Sequence, residues 1–304
     1  MWWYLDAFSD DGQHGITLIA FIGSVFSPYY AWARRRNTNV DPENFCAINI
    51  ALYGRHKRWA MTERGRAQLS RSASEFNVGP STLQWNGNAL KVQIDECTVP
   101  LPGKIQGMLT LYPTILSNRS FSLDKASQHH WQPIAPCARI DVKLDKPALK
   151  WSGFAYLDTN FGVEPLEQAF TDWNWSRSSE EYETTVLYDI NRRDGEKLRL
   201  ALRYASSGQL EQFQPPPIAL LPRTRWRVAR ATQSEQGASA RIIETLEDTP
   251  FYARSIVETQ LLGKTRTMVH ESLSLDRFRL PIVQLMLPFR MPRKIVSRTS
   301  NSSQ

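Results

Sequence analysis

Apolar and polar positions alternate with a period of two along much of the chain, the spacing of half-buried strands. Over residues 138–145, Ala138, Ile140, Val142 and Leu144 fall on one side, and Arg139, Asp141, Lys143 and Asp145 on the other. Leu198, Leu200, Leu202 and Tyr204 repeat the pattern. Successive strand side chains point to opposite faces, so each segment buries one face and exposes the other. Residues 16–26 are apolar almost throughout and read as a buried strand ending at a turn. Helical periodicity is scarce. Residues 60–70 and 165–170 carry weak traces of it, and short helices are expected there.

Turn signals separate these runs. Asn86-Gly87 lies between 83–85 and 90–94, and Asp194-Gly195 between 186–190 and 198–204. Gly263-Lys264 is expected to join 256–262 to 265–273. Asn-Gly and Asp-Gly favour two-residue hairpins because both turn positions need positive φ. The fold class is therefore all-β, an antiparallel barrel or sandwich of short strands. Pro215-Pro216-Pro217 is the strongest internal break. It divides the chain into a larger N-terminal β domain over 1–214 and a smaller one over 215–292. From 289 onward the chain carries Arg290, Arg293, Lys294 and Arg298 and no acidic residue. Residues 293–304 read as a basic disordered tail, solvated or in contact with anionic lipid headgroups. Trp3-Tyr4-Leu5-Asp6 and Ala155-Tyr156-Leu157-Asp158 share a Tyr-Leu-Asp core, too short to establish a duplication.

The 304 residues allow about two domains, and 41% hydrophobic with 22% charged residues excludes a wholly disordered chain. The longest apolar stretch, 15–33, is interrupted by Gly23, Ser24, Ser27 and Pro28. It falls short of the roughly 20 strongly apolar residues that span a bilayer as a helix. Asp6, Asp10 and Asp11 precede it, where a signal peptide would carry basic residues. A soluble or peripheral protein is expected. The net charge of +7 favours an anionic partner such as a lipid surface and is too mild to point to nucleic acid. Cys46, Cys97 and Cys137 show no metal-ligand spacing and read as free thiols of a reducing compartment.

Nucleotide and metal motifs are absent: there is no Walker-type loop, Rossmann glycine fingerprint, His-Glu-x-x-His or Gly-x-Ser-x-Gly. The expected chemistry therefore uses no cofactor and no metal, and falls to carboxylates, histidines and aromatics. The chain is rich in the last, with 10 Trp, 10 Tyr and 13 Phe. Aromatics suit strands, and their π-faces also attract cations. Two segments concentrate these groups. His129 and Trp131 are two apart, as are Tyr156 and Asp158, so each pair projects from one strand face. Converging in a barrel lumen, they would place an acid, an imidazole, a phenol and an indole around an uncharged substrate and a cationic intermediate. The bland alternatives stay open at this point. Asp158 beside Thr159-Asn160 suits a turn, Trp131, Trp151, Trp173 and Trp175 suit a core, and His129 and His130 suit a surface.

At these residues the chain resembles the acyclic carotenoid 1,2-hydratases, or hydroxyneurosporene synthases, of carotenoid-producing phototrophic bacteria. The resemblance opens with Trp2-Trp3-Tyr4-Leu5-Asp6-Ala7 and Ala20-Phe21-Ile22-Gly23-Ser24-Val25-Phe26-Ser27-Pro28-Tyr29-Tyr30. It runs through Arg58-Trp59-Ala60-Met61-Thr62-Glu63-Arg64, Trp131-Gln132-Pro133-Ile134-Ala135-Pro136, Tyr156-Leu157-Asp158 and Trp173-Asn174-Trp175-Ser176-Arg177. It closes on Met286-Leu287-Pro288-Phe289-Arg290-Met291-Pro292. Members of that family usually carry residues before the first block.

The resemblance implies a lipocalin-like fold with a second, smaller β domain. It implies cofactor-free addition of water across the terminal C1=C2 bond of acyclic carotenoids such as neurosporene or lycopene. The family's His-x-Trp and Tyr-x-Asp pairs map onto His129, Trp131, Tyr156 and Asp158. In that reading Asp158 is the acid, sharpened by a hydrogen bond from His129. Trp131 and Tyr156 face the cation, and His129 or Tyr156 holds the water. A substrate insoluble in water implies peripheral contact with an anionic membrane on its cytoplasmic side, with Leu280, Ile282, Val283, Leu285, Met286 and Leu287 as a shallow insertion patch. The oligomeric state is left open. A non-catalytic carotenoid or lipid carrier and a pericyclic enzyme of the same fold are the competing readings.

Overall fold

The strand Trp2–Ser9 pairs on one side with His14–Ile22 and on the other with Leu149–Gly162, 140 residues later in the chain. The computed structural model, which describes residues 1–37 and 39–294, builds outward from that centre. On one flank lie Cys46–Gly54 and Arg58–Arg64, and on the other His129–Lys146, Lys104–Pro113, Leu90–Cys97 and three shorter strands. With Phe121–Ser122, which pairs with His129–Lys146, they form a 13-stranded sheet, antiparallel except where Arg293–Lys294 adds alongside Arg58–Arg64.

The sheet curls on itself. Arg64 reaches Glu96 across strands far apart in sheet order, in a buried ion pair of 2.8 Å that Ser81 completes at 2.8 Å. The concave face holds an aliphatic core that includes Leu5, Ile16, Leu18, Ile48, Val92, Leu109 and Ile140. Period-two burial is clear where it was read from the sequence: Ala138, Ile140, Val142 and Leu144 are buried, while Asp141, Lys143 and Asp145 are exposed.

A second sheet of seven strands packs against the outer face of the first. Its order is Leu210–Gln212, Lys197–Ala205, Glu183–Arg192, Phe170–Ser179, Lys264–Ser274, Tyr252–Leu261 and Arg241–Asp248. The all-β, lipocalin-like architecture with a smaller second β unit is thus as expected. The boundary is not. Strands on both sides of Pro215-Pro216-Pro217 share this second sheet, because Trp173 lies opposite Leu273 and Trp175 opposite Glu271. The sheets change over between Gly162 and Phe170 instead, and the prolines merely connect two strands at the periphery. A long-range pairing of this kind leaves no local mark for composition to reveal.

Three other expectations are revised. Residues 60–70 form no helix: Arg58–Arg64 is a strand, followed by a 3₁₀ turn at Arg66–Gln68 and the strand Leu69–Arg71. Burial on both faces, with Ala60 in the aliphatic core and Met61 between the sheets, overrides the weak helical spacing. The third hairpin turns at Leu262-Gly263, both at positive φ, one residue before the expected pair. The basic tail is partly built in. Arg290 ends the helix Pro281–Arg290 and sits 4.4 Å over the Trp59 ring, while Arg293 pairs with the buried Glu63. The remaining residues of that tail, 295–304, lie outside the described residues. A short helix, Leu166–Ala169, does occupy the expected 165–170. The three cysteines are free.

Candidate active site

The two Tyr-Leu-Asp segments are neighbours. In the antiparallel register Tyr4 lies opposite Asp158, Leu5 opposite Leu157, and Asp6 opposite Tyr156. The alternation sends Leu5 and Leu157 into the aliphatic core and the four polar side chains into the layer between the sheets. The candidate site therefore does not occupy a barrel lumen, as expected from the sequence. It lies between the sheets, because the concave interior is already filled with aliphatic side chains.

Asp158 is buried in that layer, 3% exposed. Its Oδ2 accepts from Trp131 Nε1 at 2.7 Å and from the Tyr156 hydroxyl at 3.0 Å. The Asn160 amide lies 3.5 Å from Oδ1, too far to hold it strongly. Among the described residues no cation pairs with it. Burial pushes the Asp158 carboxyl up to about 8, against the pull of the Trp131 and Tyr156 donors, with Glu271 and Asp6 adding to the rise. Burial thus favours the protonated, neutral form. With Oδ2 accepting two hydrogen bonds, the acidic proton belongs on Oδ1. Burial and the neighbouring carboxyl hold the Tyr156 phenol well above its usual range, so it stays a donor.

Asp6, on the neighbouring strand, has the opposite surroundings. Arg177 and Arg254 both donate to it. Arg254 also pairs with Glu271, and the Tyr4 hydroxyl donates to Glu271 at 2.8 Å. A compact ionic network thus borders the neutral carboxyl.

Trp2, Tyr4, Trp131, Asp158 and Asn160 from the first sheet and Trp173, Trp175, Tyr188 and Glu271 from the second line a small pocket of about 50 Å³. Its walls are aromatic: Trp131 meets Tyr188 edge-on at 5.2 Å, and Trp175 lies 5.4 Å from both Tyr4 and Tyr156. A larger apolar cavity of about 460 Å³ lies nearby, lined by Ile19, Phe21, Trp59, Met61, Phe251 and Leu287 among others. The two are neighbours through Trp2 and Phe21, whose rings are 6.3 Å apart.

Of the sequence-derived set, Asp158, Trp131 and Tyr156 come together and His129 does not. Strand neighbours on one face are ~6.6 Å apart, and His129 sits one such step beyond Trp131, opposite Gly162. It is buried, yet its ring nitrogens face the Asp124 carboxylate at 2.9 Å and the Glu164 carbonyl at 3.2 Å. The expected hydrogen bond from His129 to Asp158 is therefore made by Trp131 and Tyr156 instead. Asn160 was legible as the next position on the Tyr156–Asp158 face, and Tyr4 as the partner of the repeated tripeptide. Tyr188 and Glu271 had no local signal, since long-range pairing brings their strands to the site. Among the described residues no group of three or more His, Cys, Asp and Glu side chains is arranged to hold a metal ion.

The family model described as carotenoid hydratase CrtC matches residues 18–300. An acyclic carotenoid 1,2-hydratase of Thiocapsa roseopersicina is 58% identical over 96% of this chain and 73% of its own length. The enzyme of the same name from Rubrivivax gelatinosus is 51% identical over 97% of the chain and 73% of its own. That of Cereibacter sphaeroides is 41% identical over 91% of the chain and 98% of its own. Among solved structures, kievitone hydratase from Nectria haematococca shares the fold, with a TM-score of 0.59, 8% identity and 90% of both chains covered. A Nitrosomonas europaea protein assigned to AttH matches at a TM-score of 0.59 and 13% identity, over 90% of this chain and 91% of its own. This chain belongs to the carotenoid hydratase CrtC family.

Proposed function

We propose that the protein hydrates the terminal C1=C2 bond of an acyclic carotenoid of the lycopene or neurosporene class, with Asp158 as the proton donor. The observation that carries this reading is a buried carboxyl with no cationic partner among the described residues, its acidity lowered by burial, beside an aromatic cavity. A trisubstituted alkene is a poor base, so the step needs an acid protected from water and a stabilised cation. Asp158 Oδ1–H protonates C2, leaving the tertiary cation at C1. Two donors on Oδ2 stabilise the carboxylate as it forms, which offsets the weakening of the acid by burial. Trp131, Trp175 and Tyr188 line the cavity around the charge, where cation–π attraction reaches about 2 kcal/mol in a desolvated site, and Tyr156, outside that lining, serves as a donor to Asp158. Water then adds to C1, the more substituted carbon.

The larger apolar cavity suits part of the long hydrocarbon chain. Its lining includes Met286 and Phe289 of the helix Pro281–Arg290, whose Ile282, Leu285 and Phe289 are 64%, 61% and 81% exposed. Val283 of the same helix is buried, so only part of the expected apolar patch is free. No described helix is long and apolar enough to cross a membrane. We assign this helix face to shallow insertion in a bilayer, with the net charge of +7 favouring anionic lipid.

The test is incubation of the purified protein with lycopene or neurosporene in liposomes. A product heavier by one water, absent with Asp158→Asn, supports the reading. Carotenoid binding without any hydrated product contradicts it and points to a carrier.

A further inference from the structure

The turn Arg223-Thr224-Arg225-Trp226-Arg227 alternates three arginines with other residues, and the proposed hydration makes no use of it. It is fixed from several sides. Arg227 N–H donates to the Thr224 carbonyl at 2.9 Å, and Val228 N–H to the Thr224 hydroxyl at 3.1 Å. The Arg277 guanidinium donates to the Trp226 carbonyl at 2.8 Å. Asp248 accepts from the backbone N–H groups of Arg225 and Trp226, at 2.8 and 3.3 Å. Arg227 stands at φ +67°, a conformation that residues other than glycine seldom take. Arg223 and Arg225 are exposed, and among the described residues neither guanidinium makes a hydrogen bond or an ion pair.

These two arginines line a polar pocket of about 610 Å³ together with Lys57 and Arg290. Lys57 Nζ donates to the Leu246 carbonyl at 2.5 Å. Leu246 lies two residues before Asp248 on the strand Arg241–Asp248, ~6.6 Å along it, so the lysine and the arginine turn are anchored side by side. Arg290 sits over the ring of Trp59, two residues after Lys57. A further basic residue, Arg230, is buried, its guanidinium engaged by the Pro222 carbonyl, Thr245 and Ser255. Neutral donors occupy the two carboxylates of the pocket: the backbone of the turn holds Asp248, and the Tyr53 hydroxyl holds Glu247. Lys57, Arg223, Arg225 and Arg290 thus line the pocket with no carboxylate paired to them among the described residues.

The position of the pocket selects its anion. It shares Glu247, Asp248, Thr249 and Arg290 with the apolar cavity of about 460 Å³, whose lining includes the exposed Trp226 and Phe289. Guanidinium and ammonium groups match phosphate oxygens. A soluble phosphate would leave the neighbouring apolar side chains in water, whereas a phospholipid sets its acyl chains against them. The excess of positive charge favours a headgroup whose phosphate is not balanced by an amine.

We propose that Lys57, Arg223, Arg225 and Arg290 bind the headgroup phosphate of an anionic phospholipid, an inference that rests on the membrane insertion assigned to the helix Pro281–Arg290. The bound headgroup turns the apolar cavity toward the bilayer. A hydrocarbon substrate then passes from lipid to cavity without crossing water.

The experiment measures cosedimentation with phosphatidylcholine vesicles, with and without phosphatidylglycerol. Three proteins are compared: the wild type, the double variant Arg223→Gln, Arg225→Gln, and the control Lys91→Gln, Lys264→Gln. The control removes the same charge from exposed positions that line neither cavity. The pocket variant is expected to lose at least about tenfold in affinity for the phosphatidylglycerol vesicles, and the control less than about threefold. The melting temperature of the pocket variant should stay at the wild-type value, since the substituted side chains hold nothing in the fold. Equal losses in the two variants would overturn the site in favour of a diffuse field. Loss of binding to free glycerol phosphate, with vesicle binding intact, would overturn the lipid in favour of a soluble phosphate. A wild type that sediments with both kinds of vesicle equally overturns the site and leaves insertion standing; one that sediments with neither overturns both.

Discussion

The strands Trp2–Ser9 and Leu149–Gly162 have two faces with different work. On the concave side Leu5, Ala7, Ala155 and Leu157 are aliphatic and closed within one sheet. On the other side Tyr4, Asp6, Tyr156 and Asp158 are polar or aromatic and are completed by the second sheet. The first face is a core that needs nothing outside its own sheet. The second buries groups that would be costly in a single-sheet protein, because its partners arrive from a separate part of the chain. Within that face the two aspartates diverge again. Asp6 has two arginines and serves the structure; Asp158 has none and is left neutral. A one-residue change of register would exchange the two faces.

The sharpest break of this comparison is Asp158→Asn. The amide keeps the shape and can accept from Trp131 and Tyr156, but it has no acidic proton. Hydration is expected to fall by about 10³-fold or more, measured as product per folded enzyme. Substantial turnover in that variant would remove Asp158 as the acid. Trp131→Leu is the next largest. It deletes both the donor to Asp158 and an aromatic face, so turnover is expected to fall about 30-fold, more than carotenoid retention falls. Equal losses would make Trp131 a packing residue.

The concave face should respond in the other currency. Ile140, 1% exposed in the aliphatic core, is expected to cost about 2–5 kcal/mol of stability when changed to Ala. The pH profile of the remaining folded enzyme should not move. His129→Gln belongs between the two faces. It disturbs contacts with Asp124 and Glu164 and should lower the melting temperature. Hydration per folded enzyme is expected to fall less than tenfold, since the imidazole does not reach Asp158; a loss equal to that of Asp158→Asn would place it in the reaction.

Stability against pH distinguishes the two aspartates without any substrate. The Asp158 carboxyl rises from 3.8 to about 8 on folding. The native state thus keeps a proton that the unfolded chain releases, and stability is lost as pH rises from about 4 through 8. The slope is about 1.4 kcal/mol per pH unit. Asp158→Asn lacks this slope, so its melting temperature should gain on the wild type between pH 5 and 8. A constant difference would mean that the carboxyl is not neutral in the fold.

Much of this was legible before the structure. Alternation at 138–145 depends only on neighbours in sequence, and the fold places it as read; the turns do fall at Asn86-Gly87 and Asp194-Gly195, but as longer connections in which the glycine alone takes positive φ. The Tyr156–Asp158 and Trp131 assignments rested on a face argument that needs no tertiary knowledge. What failed was long-range. The domain boundary, the location of the site between sheets, and the arrival of Tyr188 and Glu271 follow from pairings such as Trp175 with Glu271, nearly a hundred residues apart. His129 failed for a different reason. Sharing a face with Trp131 is not the same as reaching the same atom, and Asp124 lay close enough to take its ring nitrogen.

The most direct test of the central claim is the protonation state of Asp158 itself. Difference infrared spectra of the wild type against Asp158→Asn, recorded from pH 5 to 10, isolate its carboxylic C=O stretch from those of the other buried acids. The account predicts a neutral carboxyl band at pH 7 that disappears with a midpoint near 8. A carboxylate signal for Asp158 already present at pH 6 would contradict it.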